Sequence, residues 1–240
     1  MADFRAVMYD RYVSSFTGRL APSESGLQSY LAWCRHRYLP LLADLDRHGK
    51  ILDIGCGAGD MMEFLRRLGF SRVEGIDRSN EQVQVATRRG LPATSADAMV
   101  YLTEHSEDYD AIVAIDVLEH FSKEELVDLV SLVHGALSDG GVFIIQTVNG
   151  SGLFPGGNAY GDFTHMTILA PESLEQLLTV GGFRDFTFTE SGPVPKDLKG
   201  RLRVLGWSVI RMAAALARRI ETGKRQTIWT ENLICRCRKA

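Results

Sequence analysis

From Ile51 to Gln146 the chain alternates short apolar runs with amphipathic ones, and this alternation restricts the fold more than any other feature. The runs "ILDI", "RVEGID", "ATSAD", "YDAIVAID" and "GGVFIIQT" have strand length, and "DMMEFLRRLG", "SNEQVQVATRRG" and "SKEELVDLVSLVHGAL" between them have helical spacing. Such alternation builds a parallel sheet covered by helices on both faces. Gly69, Gly90 and Gly140 sit where helices should stop, and Ser79 and Ser122 where they should start. Ser122 and Glu125 have the spacing of a capping box.

With 240 residues the chain suits one α/β domain with additions. Residues 1–48 read as two helices before the core, 49–148 as the core, and 149–240 as a later half. That half holds the glycine-rich segment "NGSGLFPGGNAYGDFTH", a helix opened by Pro171, a strand over residues 183–190, a long helix over 197–222 and the closing strand "TIWTENLICRCRK". No apolar run approaches the roughly 20 residues of a membrane span. The first residues lack the apolar segment of a secretory signal. Cys34, Cys56, Cys235 and Cys237 show no CxxC spacing, and the last two share a face of a strand, which suits packing. The expectation is a cytoplasmic protein, at most resting on the cytoplasmic face of a membrane, with no structural metal.

In "KILDIGCGAGD" the glycines fall at Gly55, Gly57 and Gly59, so a ligand can approach the backbone closely. The spacing departs from the dinucleotide GxGxxG, with Asp60 in the last position, and nothing downstream supplies a hydride site, which leaves a nicotinamide cofactor as the lesser alternative. Asp53, Asp77 and Asp97 stand at the ends of successive strand-like runs. Asp77 can accept from ribose hydroxyls and Asp97 from an adenine amino group, with the Ala98 N–H beside it. Carboxylates so placed suit a cationic nucleoside without phosphates, namely S-adenosylmethionine, and would repel a pyrophosphate.

"ILDIGCGAGD", "VEGIDRS", "ATSADAMVYL" and "YDAIVAIDVLEHF" together resemble the successive cofactor motifs of the class I S-adenosylmethionine-dependent methyltransferases. The resemblance implies a Rossmann-like, seven-stranded, mostly parallel α/β sheet in the order 3-2-1-4-5-7-6, with N-terminal lid helices and an inserted C-terminal amphipathic helix. It also implies cofactor contacts at Asp53, Gly55, Cys56, Gly57, Gly59, Asp77, Arg78, Asp97, Ala98, Asp116 and Val117.

The acceptor should lie above the ends of strands 4 and 5, where "DVLEHF" and "DFTH" reach. His165 is the first candidate for the base that takes the acceptor's proton, and His120 the second. Each has a structural alternative: fixing the strand 4 loop, or capping a helix. Asp162, Tyr9 and Tyr12 are candidate acceptor contacts, and Tyr9, Tyr12 and Phe16 at near-helical spacing form either a lid or a core stripe. The segment is also similar to the metal-binding Glu-x-x-Glu-His of the ubiquinone-biosynthesis and small-RNA O-methyltransferases. That likeness implies Asp116, Glu119, His120 and His165 as an alternative ligand set for a divalent metal, although Asp116 replaces the first glutamate.

The net charge is −3, yet residues 198–225 carry eight Lys/Arg against one acidic residue. Apolar residues at 198, 202, 205, 209, 212, 216 and 220 make an amphipathic stripe there. Its readings are packing on this domain, a homodimer, an anionic membrane surface or a phosphorylated acceptor, with nucleic acid last for want of interleaved aromatics. This half, with its "GPVP" turn, resembles methyltransferases of bacterial surface polysaccharide biosynthesis. That likeness implies a sugar hydroxyl on a glycan, a lipid-linked saccharide or a nucleotide sugar as acceptor. A small phenolic or quinone-like metabolite is the alternative, and a non-catalytic cofactor-binding partner protein the other.

Overall fold

The computed structural model describes residues 4–10, 23–106 and 108–240. Tyr12 and Phe16 lie outside the described residues. The strands are β1 (Lys50–Ile54), β2 (Arg72–Asp77), β3 (Ala93–Ser95), β4 (Tyr109–Ile115), β5 (Leu137–Val148), β6 (Phe183–Glu190) and β7 (Asn232–Lys239). They form one seven-stranded sheet in the order β3-β2-β1-β4-β5-β7-β6. The pairs from β3 through β5 are parallel, and β7 runs antiparallel to both β5 and β6. This is the order the motifs implied.

The described helices are α1 (Phe4–Asp10), α2 (Glu24–Arg37), α3 (Asp60–Arg67), α4 (Asn80–Arg88), α5 (Ala98–Thr103), α6 (Lys123–Ala136), α7 (Gly156–Gly161), α8 (Pro171–Val180) and α9 (Leu198–Thr222). Two apolar clusters cover the two faces of the sheet. On one face Leu126, Leu129 and Val133 of α6 and Leu174 and Leu178 of α8 pack on Ile112, Phe143 and Leu233. On the other, Leu27, Leu31 and Cys34 of α2 and Met61, Phe64 and Leu65 of α3 pack on Ile51, Val113 and Ile144. Burying each such side chain contributes about 1.5–3 kcal/mol, enough to fix the alternation read from the sequence.

Several expectations hold at the level of single residues. Ser122 and Glu125 form a reciprocal capping box, at 3.2 and 2.8 Å. All four cysteines are buried and free. Others need correction. The helix α2 is a core helix, because its buried stripe faces α3; of the two described helices before the core, α1 is the one that lies over the cleft described below. Gly140 does not end a helix: α6 passes directly into β5, and Gly140 takes φ 70° inside that strand. The glycine-rich segment contains the short helix α7. β7 begins at Asn232, because residues before it bond elsewhere: Trp229 N donates to Glu190 Oε1 at 2.8 Å and Asn149 N to Glu231 O at 2.8 Å. No described helix is long and apolar enough to cross a membrane.

Candidate functional site

The turn after β1 carries Gly55, Gly57 and Gly59 at φ 69°, 52° and 86°, in the left-handed region that glycine adopts without a Cβ penalty. The environments differ. A Cβ on Gly55 would lie 2.5 Å from Val117 Cγ2, and one on Gly59 would strike Leu91. A Cβ on Gly57 would meet nothing within 4 Å, so this backbone faces open space. That space is a cleft of about 330 Å³ at the C-terminal ends of the strands. Gly55, Gly57, Asp77, Arg78, Asp97, Ala98, Asp116, Val117, His120 and Tyr9 line it, all expected from the sequence. Asp53, Cys56 and Gly59 do not. Cys56 N donates to Ile76 O at 3.0 Å, locking the turn to β2. Burial pushes the carboxyl of Asp53 well above the usual range, and its Oδ2 has no partner among the described residues.

Asp77 uses one lone pair on each oxygen. Oδ2 accepts from Gly57 N at 2.8 Å and Oδ1 from Ser79 N at 2.7 Å. Each oxygen keeps a second lone pair for a ribose hydroxyl. Burial raises its pKa, and the two N–H bonds pull it back. Asp97 does not close β3. It caps α5, accepting from Met99 N at 2.9 Å and Val100 N at 3.4 Å, with Oδ2 3.9 Å from Arg78 Nη1. Sequence reasoning missed Ser79 and Gln82 on the same wall. Ser79 occupies the N-cap position of α4 but makes no capping bond; its Oγ and Gln82 Oε1 are buried without protein partners among the described residues. The cap-like position of Ser79 hid its orientation. Carboxylates, unpartnered polar atoms and a glycine backbone open to the cleft fit the sugar, base and methionine parts of S-adenosylmethionine.

On the acceptor side Asp116 has φ 54°, a left-handed conformation that Asp tolerates better than most residues. Its carboxylate accepts from Gln146 Nε2 at 3.0 and 3.1 Å and from Asn232 Nδ2 at 3.1 Å. Tyr38 OH donates to Gln146 Oε1 at 2.8 Å, which turns the amide's N–H toward Asp116. Tyr38, Gln146 and Asn232 come from distant segments, and no local spacing signals them.

Glu119 is buried and structural. Thr147 Oγ1 donates to its carboxyl at 2.9 Å, and its carbonyl accepts from Met166 N at 2.7 Å and Thr167 N at 3.1 Å. It thereby clamps the segment that carries His165 to the end of β4. Burial, reinforced by Asp116, pushes its carboxyl up to about 8. Asp116 and Glu119 of the metal set expected as an alternative are engaged by these partners and fall outside the ligand cluster found among the described residues. Among the described residues, ligand-type atoms of His120, Asp162 and His165 lie within 4.8 Å of one another instead.

Thr164 ties that trio together. Its N and Oγ1 donate to Asp162 Oδ1 at 2.8 and 2.6 Å, and its Oγ1 lies 2.9 Å from His120 Nδ1. A hydroxyl has one hydrogen, and Asp162 receives it. His120 Nδ1 must then be the donor to Thr164, an assignment from the bonding pattern that puts the neutral ring's lone pair on Nε2. Burial, aided by His165, lowers the His120 pKa to about 4, so the ring is neutral at pH 7. The His120 and His165 rings meet edge-on, with centroids 4.8 Å apart, and His165 Nδ1 donates to Ala159 O at 3.3 Å. Only His120 of the two lines the cleft. Tyr9 closes it from α1, with its ring 6.1 Å from His120 and 5.5 Å from the Arg78 guanidinium. Burial raises its hydroxyl to about 12.

A family model described as "Methyltransferase domain" matches residues 27–187. The chain is 32% identical over 153 residues to the mitochondrial ubiquinone biosynthesis O-methyltransferase of Rattus norvegicus, covering 55% of this chain and 44% of that protein. It is 32% identical over 154 residues to the ubiquinone biosynthesis O-methyltransferase of Brucella anthropi, covering 56% of this chain and 60% of that protein. It thus spans about half the length of these curated relatives. A SAM-dependent methyltransferase from Archaeoglobus fulgidus has the same fold, with TM-score 0.67, 21% identity and coverage of 99% and 100% of the two chains. The sheet order, the carboxylate-lined cleft and the family match lead to one assignment: the chain belongs to the class I S-adenosylmethionine-dependent methyltransferases.

Proposed function

We propose that the protein methylates a hydroxyl of a small phenolic or quinone-like molecule, with His120 as the base. The observation that carries this reading is the Asp162–Thr164–His120 chain, which holds a neutral imidazole in the wall of the cleft. Bound S-adenosylmethionine supplies an electrophilic methyl and a neutral thioether leaving group. Gly57, Asp77 and Asp97 hold it, and Tyr9 with α1 excludes water from above. His120 Nε2 takes the proton that the acceptor oxygen sheds as it is alkylated. That proton is far more acidic than an imidazolium, so a base with a pKa of about 4 suffices. Asp162, acting through Thr164, steadies the positive charge that His120 then carries. His165 supports the ring from behind, which reverses the ranking expected from the sequence. The reading requires no metal.

The likeness to the ubiquinone biosynthesis O-methyltransferases supports a small-molecule acceptor. The sugar hydroxyl rests on the softer likeness of the C-terminal half alone. The test is incubation with methyl-labelled S-adenosylmethionine and parallel panels of phenols, catechols and saccharides. Label in the phenols, lost on His120→Ala, is expected. Label only in saccharides would sink the small-molecule reading and restore the sugar. Cofactor binding without transfer to any panel would favour a non-catalytic protein.

A further inference from the structure

The helix α9 holds an unusual distribution of surface. Leu198, Leu202, Leu205, Val209, Met212, Leu216 and Ile220 are all exposed, from 55% at Val209 to 77% at Ile220. The helix touches its own domain through the opposite side. Gly200 is buried, Trp207 is half-buried with Nε1 3.4 Å from Glu190 Oε2, and Arg211 pairs with the same oxygen at 2.8 Å. At 100° per residue the apolar stripe points about 170° away from these contacts. Arg201 and Arg219 flank it on one side and Lys199 on the other, each about 70–90° from its centre. Among the described residues, Lys199, Arg201, Arg203, Arg219, Lys224 and Arg225 form no ion pair, whereas Arg211 and Arg218 do. The packing expected as one reading of this helix therefore accounts for its polar side only.

We propose that this face docks the protein peripherally on a lipid bilayer bearing anionic headgroups, the apolar stripe entering the interface and the flanking cations meeting the headgroups. Charge complementarity selects this occupant. Residues 198–225 carry eight basic residues and one acidic, so a two-fold pairing of the helix with a second copy would bring like charge against like. The stripe's period agrees. From Leu198 to Ile220 six steps cover 22 residues, near the 3.6 of a straight helix and above the 3.5 of a coiled-coil seam. The heptad continuation beyond Leu216 lands on Arg219, which a dimer seam would have to bury. A straight helix with a broad apolar face, cations at its flanks and its long axis in one plane is the geometry of an interfacial helix. Exposed Phe154 shares a cavity wall with Lys199 and Arg203 at the start of α9.

The experiment is co-sedimentation of the full chain with phosphatidylglycerol–phosphatidylcholine vesicles and with phosphatidylcholine vesicles alone, at several salt concentrations. Binding at least tenfold tighter to the anionic vesicles, weakened by salt, is expected. Leu205→Glu/Met212→Glu and, separately, Arg201→Glu/Arg219→Glu should each lower it at least tenfold, and both variants should keep the parent's melting temperature because these side chains are exposed. Failure of the folded protein to bind anionic vesicles would overturn the proposal. So would binding that survives Leu205→Glu/Met212→Glu undiminished, since any polyanion, nucleic acid included, would then serve. A dimer split by the same double substitution, in protein that ignores vesicles, would assign the stripe to a second copy instead. None of these outcomes depends on methyl transfer.

Discussion

At the scale of single residues, the site divides into groups that hold the cofactor and groups that handle a proton, and substitutions should separate them. His120→Ala is expected to lower kcat by about 10²–10⁴. The affinity for S-adenosylhomocysteine, measured by calorimetry, should change little. Thr164→Val keeps the shape and removes the link to Asp162; kcat should fall by about tenfold, because the imidazolium loses its indirect support. Equal loss of cofactor affinity in both variants would defeat this division. Glu119 gives a pH test. Its folded-state pKa is raised to about 8 from 4.5, so its contribution to stability is fully present below about pH 4.5 and is lost as the pH rises through 8. Glu119→Gln should therefore melt higher than the parent at pH 8, on the order of a few kcal/mol, with the gain shrinking toward pH 5. A gain that does not depend on pH would mean that the carboxyl is not held neutral. The glycines and Asp77 were legible from spacing because they belong to one turn and the strand beside it. Thr164, Gln146 and Asn232 were not, because bonds across 44, 30 and 116 residues make them functional.

At the scale of elements, local signals placed what local forces fix. Pro171 opens α8, the strand over residues 183–190 is present, and the capping box begins α6. Ser122→Ala should cost about 1 kcal/mol in chemical denaturation, since it orphans the Glu125 N–H and breaks a reciprocal pair. A cost indistinguishable from zero would show that water replaces the cap. Elements were misjudged where tertiary contacts outvote local ones. The family resemblance implied lid helices before residue 48, yet α2 buries Leu27, Leu31 and Cys34 against α3. Gly140 looked like a helix stop because nothing in its surroundings shows that the strand has already begun.

At the scale of the whole molecule, the divalent-metal question becomes a bulk measurement. Exhaustive treatment with a chelator should leave both the melting temperature and turnover unchanged, because the proton transfer proposed for His120 uses no metal and hydrogen bonds through Thr164 already join His120 to Asp162. A fall restored by one particular cation would convert the His120, Asp162 and His165 cluster into a metal centre. The overall topology was readable in advance since parallel strands joined by helices leave few alternatives.

The position of β7 has a further consequence, for how the molecule is made. β7 lies between β5 and β6 and pairs with both, yet it follows them in the chain by way of α9. While the polypeptide emerges from the ribosome, β5 and β6 must each wait with an open edge for a strand synthesised tens of residues later. Until it arrives the half-built sheet presents the kind of unpaired border that recruits neighbouring chains. Nascent chains arrested before Asn232 should therefore be the most dependent on chaperones, although the cofactor turn and its flanking strands are by then complete.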